Sequence, residues 1–316
     1  MSNLIVRRVT QMLLIMLTVS LLLFVIFDSD QFRQKAAVAE LGGFGVATLS
    51  GSDYHEWLEK KGLNQPFLAR YGEWLESVAH GDLGRSAEKD VAVSTLLKES
   101  LGNTAILALF VFMGLIPISL TLGVLAGMKE GSALDRVISM FAVFTTSIPQ
   151  IATAVLLTVL LALGLGWVPA KSAMTDGWSF RALVLPLLTL LLYDIGYLAR
   201  MTRAAMIDVM ASHYIRTAIL KGLPYRRVIL RHALRNALIV PITLIFLELN
   251  GLLSQVVVVE VFFQYSGFGR MLFDAANFGD IQVLQAATLV AVCVAVGSQL
   301  LSDAAYVFLN PRIRLA

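Results

Sequence analysis

Charge is scarce in this chain. Asp, Glu, Lys and Arg make up 15% of its 316 residues, against roughly 25% in an ordinary soluble domain. With 57% hydrophobic residues and a mean hydropathy of +0.75, this excludes a water-soluble globule. Cysteine is scarcer still. Cys293 stands alone, so no internal disulfide forms, and a single thiol in an apolar run reads as a small apolar side chain. There is no H-E-x-x-H pair, no paired-cysteine metal motif, and the four histidines are scattered. The phosphate-cradling G-x-x-x-x-G-K-[ST] loop is also missing. The chain is therefore expected to be no enzyme and to hold no metal or cofactor. No internal repeat is evident, which argues against inverted-repeat secondary transporters.

Long apolar runs are what the chain has in excess. A membrane span needs about 20 mainly apolar residues. Residues 9–27 and 100–128 supply two. Residues 137–170 are too long for one helix and must include an exit loop. Residues 182–193, continued past Asp194 to 199, give a fourth. Residues 237–259, interrupted only by Glu248, give a fifth, and 281–302 begin a sixth. The expected fold class is all-α, a polytopic membrane protein with six transmembrane helices. Arg7-Arg8 before the first run resembles the start of a signal peptide. No A-x-A cleavage site follows promptly, and Asp28-Ser29-Asp30 does, so 1–27 reads as a retained anchor.

Lys and Arg placement sets the orientation. With both termini inside, the inner segments hold 14 basic residues against three acids, and the outer segments hold 11 basic residues and 16 acids. The expectation is N-in/C-in. The pI near 9.0 is then a topology signal, and nucleic acid is not an expected partner.

Residues 28–98 become an outer-face insertion between the first two spans. Phe67, Leu68, Tyr71, Trp74, Leu75 and Val78 recur at helical spacing. Asn64 is placed to cap that helix and Pro66 to open its first turn. Its Trp and Tyr suit the outer membrane interface. Gly81-Asp82-Leu83-Gly84-Arg85-Ser86 permits a tight turn, Leu41-Gly42-Gly43-Phe44-Gly45 looks like a loop, and residues 28–52 give no clear fold. In the second span, Gly123 and Gly127 lie four apart, suited to close helix packing either inside the subunit or at a subunit interface. Pro149 should kink the third span or mark a break within it. Residues 164–169 form its outer exit.

The most ordered polar stretch is 203–236. Ile207, Met210, Tyr214 and Ala218 share one helical stripe, while Asp208, Ser212 and Arg216 share another. Gly222 is placed as a C-terminal cap, and Pro224 opens a second helix carrying Arg226, Arg227, Arg231 and Arg235. Small Ala218 and Gly222 would let a partner come close. From the residues alone two readings stay open: a positive-inside loop lying on anionic lipid, and a docking surface for another protein. The hairpin is longer than insertion requires.

Thr217-Ala218-x-x-x-Gly222 resembles the core of the cytoplasmic "EAA" signature of ABC importer membrane subunits. Arg216 stands where that signature has glutamate, and His232-Ala233-Leu234-Arg235 where many members have Ile-x-Leu-Pro. In these departures 214–236 is similar to the dipeptide/oligopeptide permease branch, Y-I-R-T-A-x-x-K-G-L-P followed by R-H-A-L-R-N. Gly81-Asp82-Leu83-Gly84-x-Ser86, Leu134-Asp135-Arg136 and Ser147-Ile148-Pro149 agree with it. So do Glu260-x-Phe262 to Gly267-Phe268-Gly269-Arg270, with Ser266 where proline is common, and Asn310-Pro311-Arg312-Ile313-Arg314. The resemblance covers 64–314, and 28–63 departs from it.

This resemblance implies one permease subunit of a type I importer for short peptides. Its partners would be a homologous second permease, two ATPase subunits that bind ATP and Mg²⁺, a periplasmic substrate-binding protein, and membrane lipid. The implied organisation is an anchor at 1–27, the insertion at 28–98, a permease core at 99–310 containing the coupling hairpin 203–236, and a cytoplasmic tail at 311–316. Tyr214, Arg216, Thr217, Ala218, Lys221 and Gly222 would couple to an ATPase, with Ala218 and Gly222 setting the fit and Tyr214 and Arg216 anchoring it. Asp194, Glu248 and Asp303 are ionisable residues inside spans, where charge is costly and usually faces a cavity or a partner. Asp194, Glu248 and Asn250 are candidate pathway residues. A polar contact between helices, or a local pair of Asp194 with Arg200, is the other reading. Nickel, opines, oligosaccharides and antimicrobial peptides remain alternative cargoes, and a stand-alone secondary transporter or an assembly factor an alternative class.

Overall fold

The computed structural model describes residues 2–41, 51–60, 62–174 and 178–309. Side chains are described for 10–38, 51–60, 62–174, 178–249, 251–252 and 254–304. The glycine-rich 42–45, the 310–314 motif and the side chain of Asn250 lie outside the described residues. Fourteen helices follow in chain order among those described: α1 (Ser2–Phe27), α2 (Asp30–Leu41), α3 (Gly51–Lys60), α4 (Phe67–Ala79), α5 (Val93–Gly127), α6 (Ala133–Ser147), α7 (Gln150–Leu157), α8 (Phe180–Met210), α9 (His213–Leu220), α10 (Tyr225–Arg227), α11 (Leu234–Ala237), α12 (Ile239–Phe263), α13 (Phe268–Phe278) and α14 (Ile281–Leu309). Wider π-helical turns extend α7 through Thr158–Gly164 and join α10 to α11 through Val228–Ala233. No strand occurs among the described residues; Arg85 and Ala92 form one isolated bridge. The protein is all-α and polytopic.

Four helices are long and apolar enough to cross a membrane: Thr10–Phe27, Val93–Gly127, Phe180–Met210 and Ile281–Ala304. The number rises to seven if each of three bent helix pairs is one span. The expected six lies inside that range. The third run is the sharpest departure from a simple rod, because α6 and the helix after it turn by 102°. Ile148 and Pro149 are both extended, with ψ of 126° and 141°. Proline offers no N–H to continue the α6 ladder, so the expected break is a true elbow.

The chain forms two compact units, Met1–Asn103 with Gly267–Gly297, and Thr104–Ser266 with Ser298–Ala316. In the first, α4 spends its aromatic stripe on α1. The rings of Phe67 and Tyr71 lie 5.4 Å from Phe24, with Trp74 at 6.1 Å, and the Tyr71 hydroxyl meets Ser20 Oγ at 2.8 Å. The aromatic face read from the helical spacing thus packs on the end of α1. The Asn64 cap is not observed. Pro66 takes the N-cap position, no side chain caps it, and Arg70 Nε donates to the Gln65 carbonyl. Residues 28–41, unreadable in the sequence, fold because Asp28 gathers Arg33 of α2 and Arg70 of α4 at 2.5 Å each. Burial alone would raise the Asp28 carboxyl; the hydrogen bonds and charges of Arg70 and Arg33 outweigh it and hold it below its usual 3.8.

The 81–86 turn explains its own glycine. Gly84 has φ +79°, and a Cβ there would sit 2.7 Å from Gln282 Oε1, the atom that accepts the Arg85 N–H at 2.8 Å. Ser86 Oγ donates to Asp280 at 2.6 Å. This turn is thus pinned to the start of α14.

In the second unit α8 is the central element, contacting α6, α7, α9, α11 and α12. Leu107, Val111 and Leu115 of α5, four apart, pack with Leu183, Leu190 and Leu198 of α8 and Leu252, Val256 and Val259 of α12. Between membrane helices such contacts act through van der Waals packing, since lipid is as apolar as leucine. The Gly123/Gly127 pair faces α8. A Cβ at Gly123 would lie 2.4 Å from Thr202 Cβ, and one at Gly127 2.6 Å from Met206 Cβ. Of the two uses left open, close packing inside the subunit is the one observed.

Candidate functional site

The polar hairpin begins beyond α8, which continues as unbroken helix to Met210. The single stripe expected from Ile207 to Ala218 is therefore divided. Ala211 and Ser212 form a turn, Ser212 takes the N-cap position, and α9 starts afresh at His213. The new helix has its own inward face, Ile215 and Ala218, three residues apart. These pack with Met206 of α8 and with Val228, Ile229 and Ala233 on the returning limb.

Its C-terminus is a Schellman closure. The Leu223 N–H reaches the Ala218 carbonyl at 3.4 Å and the Gly222 N–H reaches that of Ile219 at 2.9 Å, satisfying carbonyls that the helix end would otherwise orphan. Gly222 supplies the left-handed φ of +73°, and a Cβ on it would meet nothing within 4 Å. Pro224 then sits one position earlier than expected, at the N-cap of α10 (φ −59°, ψ 135°).

The predicted coupling residues separate into inner and outer groups. Ala218 is buried and packs within the hairpin. Thr217, Lys221 and Gly222 are exposed, as is Arg216. Thr217 Oγ1 donates to the His213 carbonyl at 2.9 Å. Tyr214 is half-exposed, and its hydroxyl accepts from Asn236 Nδ2 at 2.8 Å, tying α9 to α11. The outer face also carries apolar groups that sequence reasoning passed over. Leu220 is 80% exposed, and Ile219 stands beside it at 47%.

Two anchors hold this hairpin block. Tyr225 Oη donates to the Met128 carbonyl at the end of α5, at 2.9 Å. Arg203 of α8 clamps Asp135 of α6, with Nη2 at 2.8 Å from Oδ2 and Nε on Oδ1. Asp135 also accepts from the Gly131 N–H at 2.9 Å and from Ser139 Oγ at 3.1 Å. The sequence motif Leu134-Asp135-Arg136 marks this aspartate without showing its partner, 68 positions away.

Asp194 and Glu248 do come together. Asp194 is 2% exposed and neither carboxylate oxygen has a hydrogen-bond partner; Glu248 and Gln255 of α12 are its polar neighbours. Glu248 Oε1 accepts from Gln255 Nε2 at 3.2 Å, and Gln255 Oε1 from Gln150 Nε2 of α7 at 3.3 Å. Arg200 is exposed and makes no ion pair with Asp194 among the described residues. Glu260, counted from the sequence among the outer acids, is fully buried, and Thr104 Oγ1 donates to it at 2.5 Å. No group of three His, Cys, Asp or Glu side chains suited to a metal occurs among the described residues.

Residues 119–315 match the model of the binding-protein-dependent transport system inner membrane component family. A putative peptide transport system permease protein of Brucella abortus is 34% identical over 99% of each chain. The oligopeptide transport system permease protein AppB of Bacillus subtilis is 32% identical, also over 99% of each. The corresponding OppB of Salmonella typhimurium is 32% identical over 80% of this chain and 82% of its own. With the match running through the hairpin, α8 and α12, this chain belongs to the family of inner-membrane permease components of binding-protein-dependent ABC transporters.

Proposed function

We propose that this chain forms half of the membrane pathway of an importer for short peptides, with a homologous permease supplying the other half. Two ATPase subunits bind and hydrolyse ATP with Mg²⁺ at the cytoplasmic face, and a periplasmic binding protein delivers the peptide. The chain itself hydrolyses nothing and carries no cofactor. Peptide cargo is supported by the names of the similar permeases, which favour it over nickel, opines or sugars. The N-in/C-in orientation with six spans follows the distribution of basic residues and places the hairpin inside.

The observation that carries this reading is the divided character of α9. Ile215 and Ala218 fix it to the rest of the subunit, and Thr217, Ile219, Leu220, Lys221 and Gly222 are left facing outward. A loop that only sets topology has no use for a pinned helix with an unpartnered apolar tip. An ATPase groove that receives Leu220 would transmit its movement through Met206 into α8. Glu248, half-buried beside Asp194, is the better-placed candidate to meet the substrate; Asp194 is closed off behind it.

The test is Gly222→Trp, with Gly222→Asn as the control that tolerates the left-handed backbone. In the reconstituted importer the Trp variant should retain ATPase activity and lose peptide uptake, while the Asn variant keeps both. Normal uptake by Gly222→Trp rejects the docking role.

A further inference from the structure

The returning limb of the hairpin, 225–237, has two faces. Val228, Ile229, Ala233 and Ala237 are buried and pack with Met206, Ile215 and Ala218. Arg226, Arg227, Leu230, Arg231 and Arg235 are exposed. The inward set ties the limb to the subunit, so the outward set is presented on a held helix.

The four guanidinium groups of that outer face are unspent. Elsewhere Arg33 and Arg70 pair with Asp28, Arg85 with Asp90, Arg203 with Asp135 and Arg270 with Asp274. Arg226, Arg227, Arg231 and Arg235 make no ion pair and no side-chain hydrogen bond among the described residues. Glu130 and Asp208, the inner acids besides Asp135, are exposed and pair with none of them. Four like charges on one short limb repel one another and gain from a common counter-charge.

What the limb adjoins is the bilayer. It runs into α12 across a bend of 43° at Leu238. Arg235 stands about 6 Å along the helix axis before Ile239, and Arg227 at most about 18 Å. For a span along the bilayer normal, the bend leaves Arg227 only about 13 Å deeper than the start of α12. The headgroup layer is roughly 5–7 Å thick on each side of the hydrocarbon core, and the field of anionic lipid extends about a Debye length, ~8–10 Å, beyond it. All four arginines therefore fall within its reach. Leu230 is 55% exposed between Arg227 and Arg231. An apolar side chain flanked by cations is the pattern of helices that lie at the boundary of headgroups and acyl chains.

We infer that the outer face of this limb, Arg226, Arg227, Leu230, Arg231 and Arg235, binds anionic phospholipid of the inner leaflet, with the guanidinium groups on phosphates and Leu230 at the acyl boundary. The inference goes beyond the import reading. It needs the hairpin on the inner side and is independent of the cargo.

Electron paramagnetic resonance tests it, using the complete importer in phosphatidylcholine nanodiscs doped with spin-labelled phosphatidylglycerol or spin-labelled phosphatidylcholine. The protein should immobilise phosphatidylglycerol in roughly threefold preference over phosphatidylcholine, and the preference should shrink as salt is raised. Arg226→Gln, Arg227→Gln, Arg231→Gln and Arg235→Gln together should at least halve it, while the same four changed to Lys should keep it. The Gln variant leaves ten of the 14 inner basic residues, so its orientation is retained, and its melting temperature is the folding control. Equal immobilisation of the two lipids, or an undiminished preference in the Gln variant, would overturn the assignment. So would loss of the ATPase subunits from the Gln variant in lipid-free detergent, which names the ATPase as the occupant of this face. Peptide uptake is read separately: uptake without lipid preference sinks only the lipid site, and lipid preference without uptake sinks only the import reading.

Discussion

Arg203 holds both carboxylate oxygens of Asp135, joining the C-terminal part of α8 to the first turn of α6 in a pair whose acid is almost wholly buried. Removing one member of such a pair strands the other charge and costs about 3–5 kcal/mol. Arg203→Ala should therefore lower the melting temperature of the purified complex sharply. Arg203→Ala combined with Asp135→Asn should recover part of the loss. Equal melting of wild type and Arg203→Ala would show that the pair is dispensable.

The glycines of α5 give a steric prediction. Gly123→Leu and Gly127→Leu must push α8 away by more than a side chain can absorb, since Thr202 Cβ and Met206 Cβ already stand at 2.4 and 2.6 Å from the added carbon. Both should reduce the amount of assembled permease recovered from membranes. Gly102→Leu, whose Cβ meets nothing within 4 Å, should not. Undiminished recovery of Gly123→Leu would refute the close crossing.

The Asp28 cluster predicts an acid limb of stability. The folded-state carboxyl titrates below its ordinary 3.8, so its contribution is complete above that ordinary value and is lost as pH falls through the lowered one. Melting should be unaffected by this cluster between pH 7 and 5 and decline below about pH 4. Asp28→Asn should flatten that decline while lowering stability at neutral pH. An unchanged acid limb in the variant would mean that other carboxylates govern it.

Orientation is tested by accessibility. In a Cys293→Ala background, a cysteine at Arg226 should react with a membrane-impermeant maleimide only from the cytoplasmic side, and one at Glu76 only from outside. Reaction of both from the same side would discard the N-in, six-span arrangement.

The sequence announces what is local. Gly222 and Pro224 punctuate the hairpin because a left-handed residue and a missing N–H constrain only their neighbours, and Pro149 marks its elbow for the same reason. Helical spacing identifies the aromatic stripe of α4 but not what it packs on, since Phe24 lies more than forty positions earlier. Ala218 was legible as small, yet smallness alone does not say whether a residue faces a partner or its own core. Asp135 with Arg203, and Ser86 with Asp280, were invisible as pairs because their contacts close over 68 and 194 positions. Glu260 showed in the sequence only as an acid near a span end; its burial against Thr104 was invisible because that contact closes over 156 positions.

The crossing at Gly123 divides α8 unequally. From Thr202 the helix runs about 12 Å to Met210 and about 33 Å to Phe180, at 1.5 Å per residue. With its fulcrum so near one end, a tilt of this rod carries Phe180 nearly three times as far as Met210. A small displacement delivered to the short arm would become a wide swing of the long one.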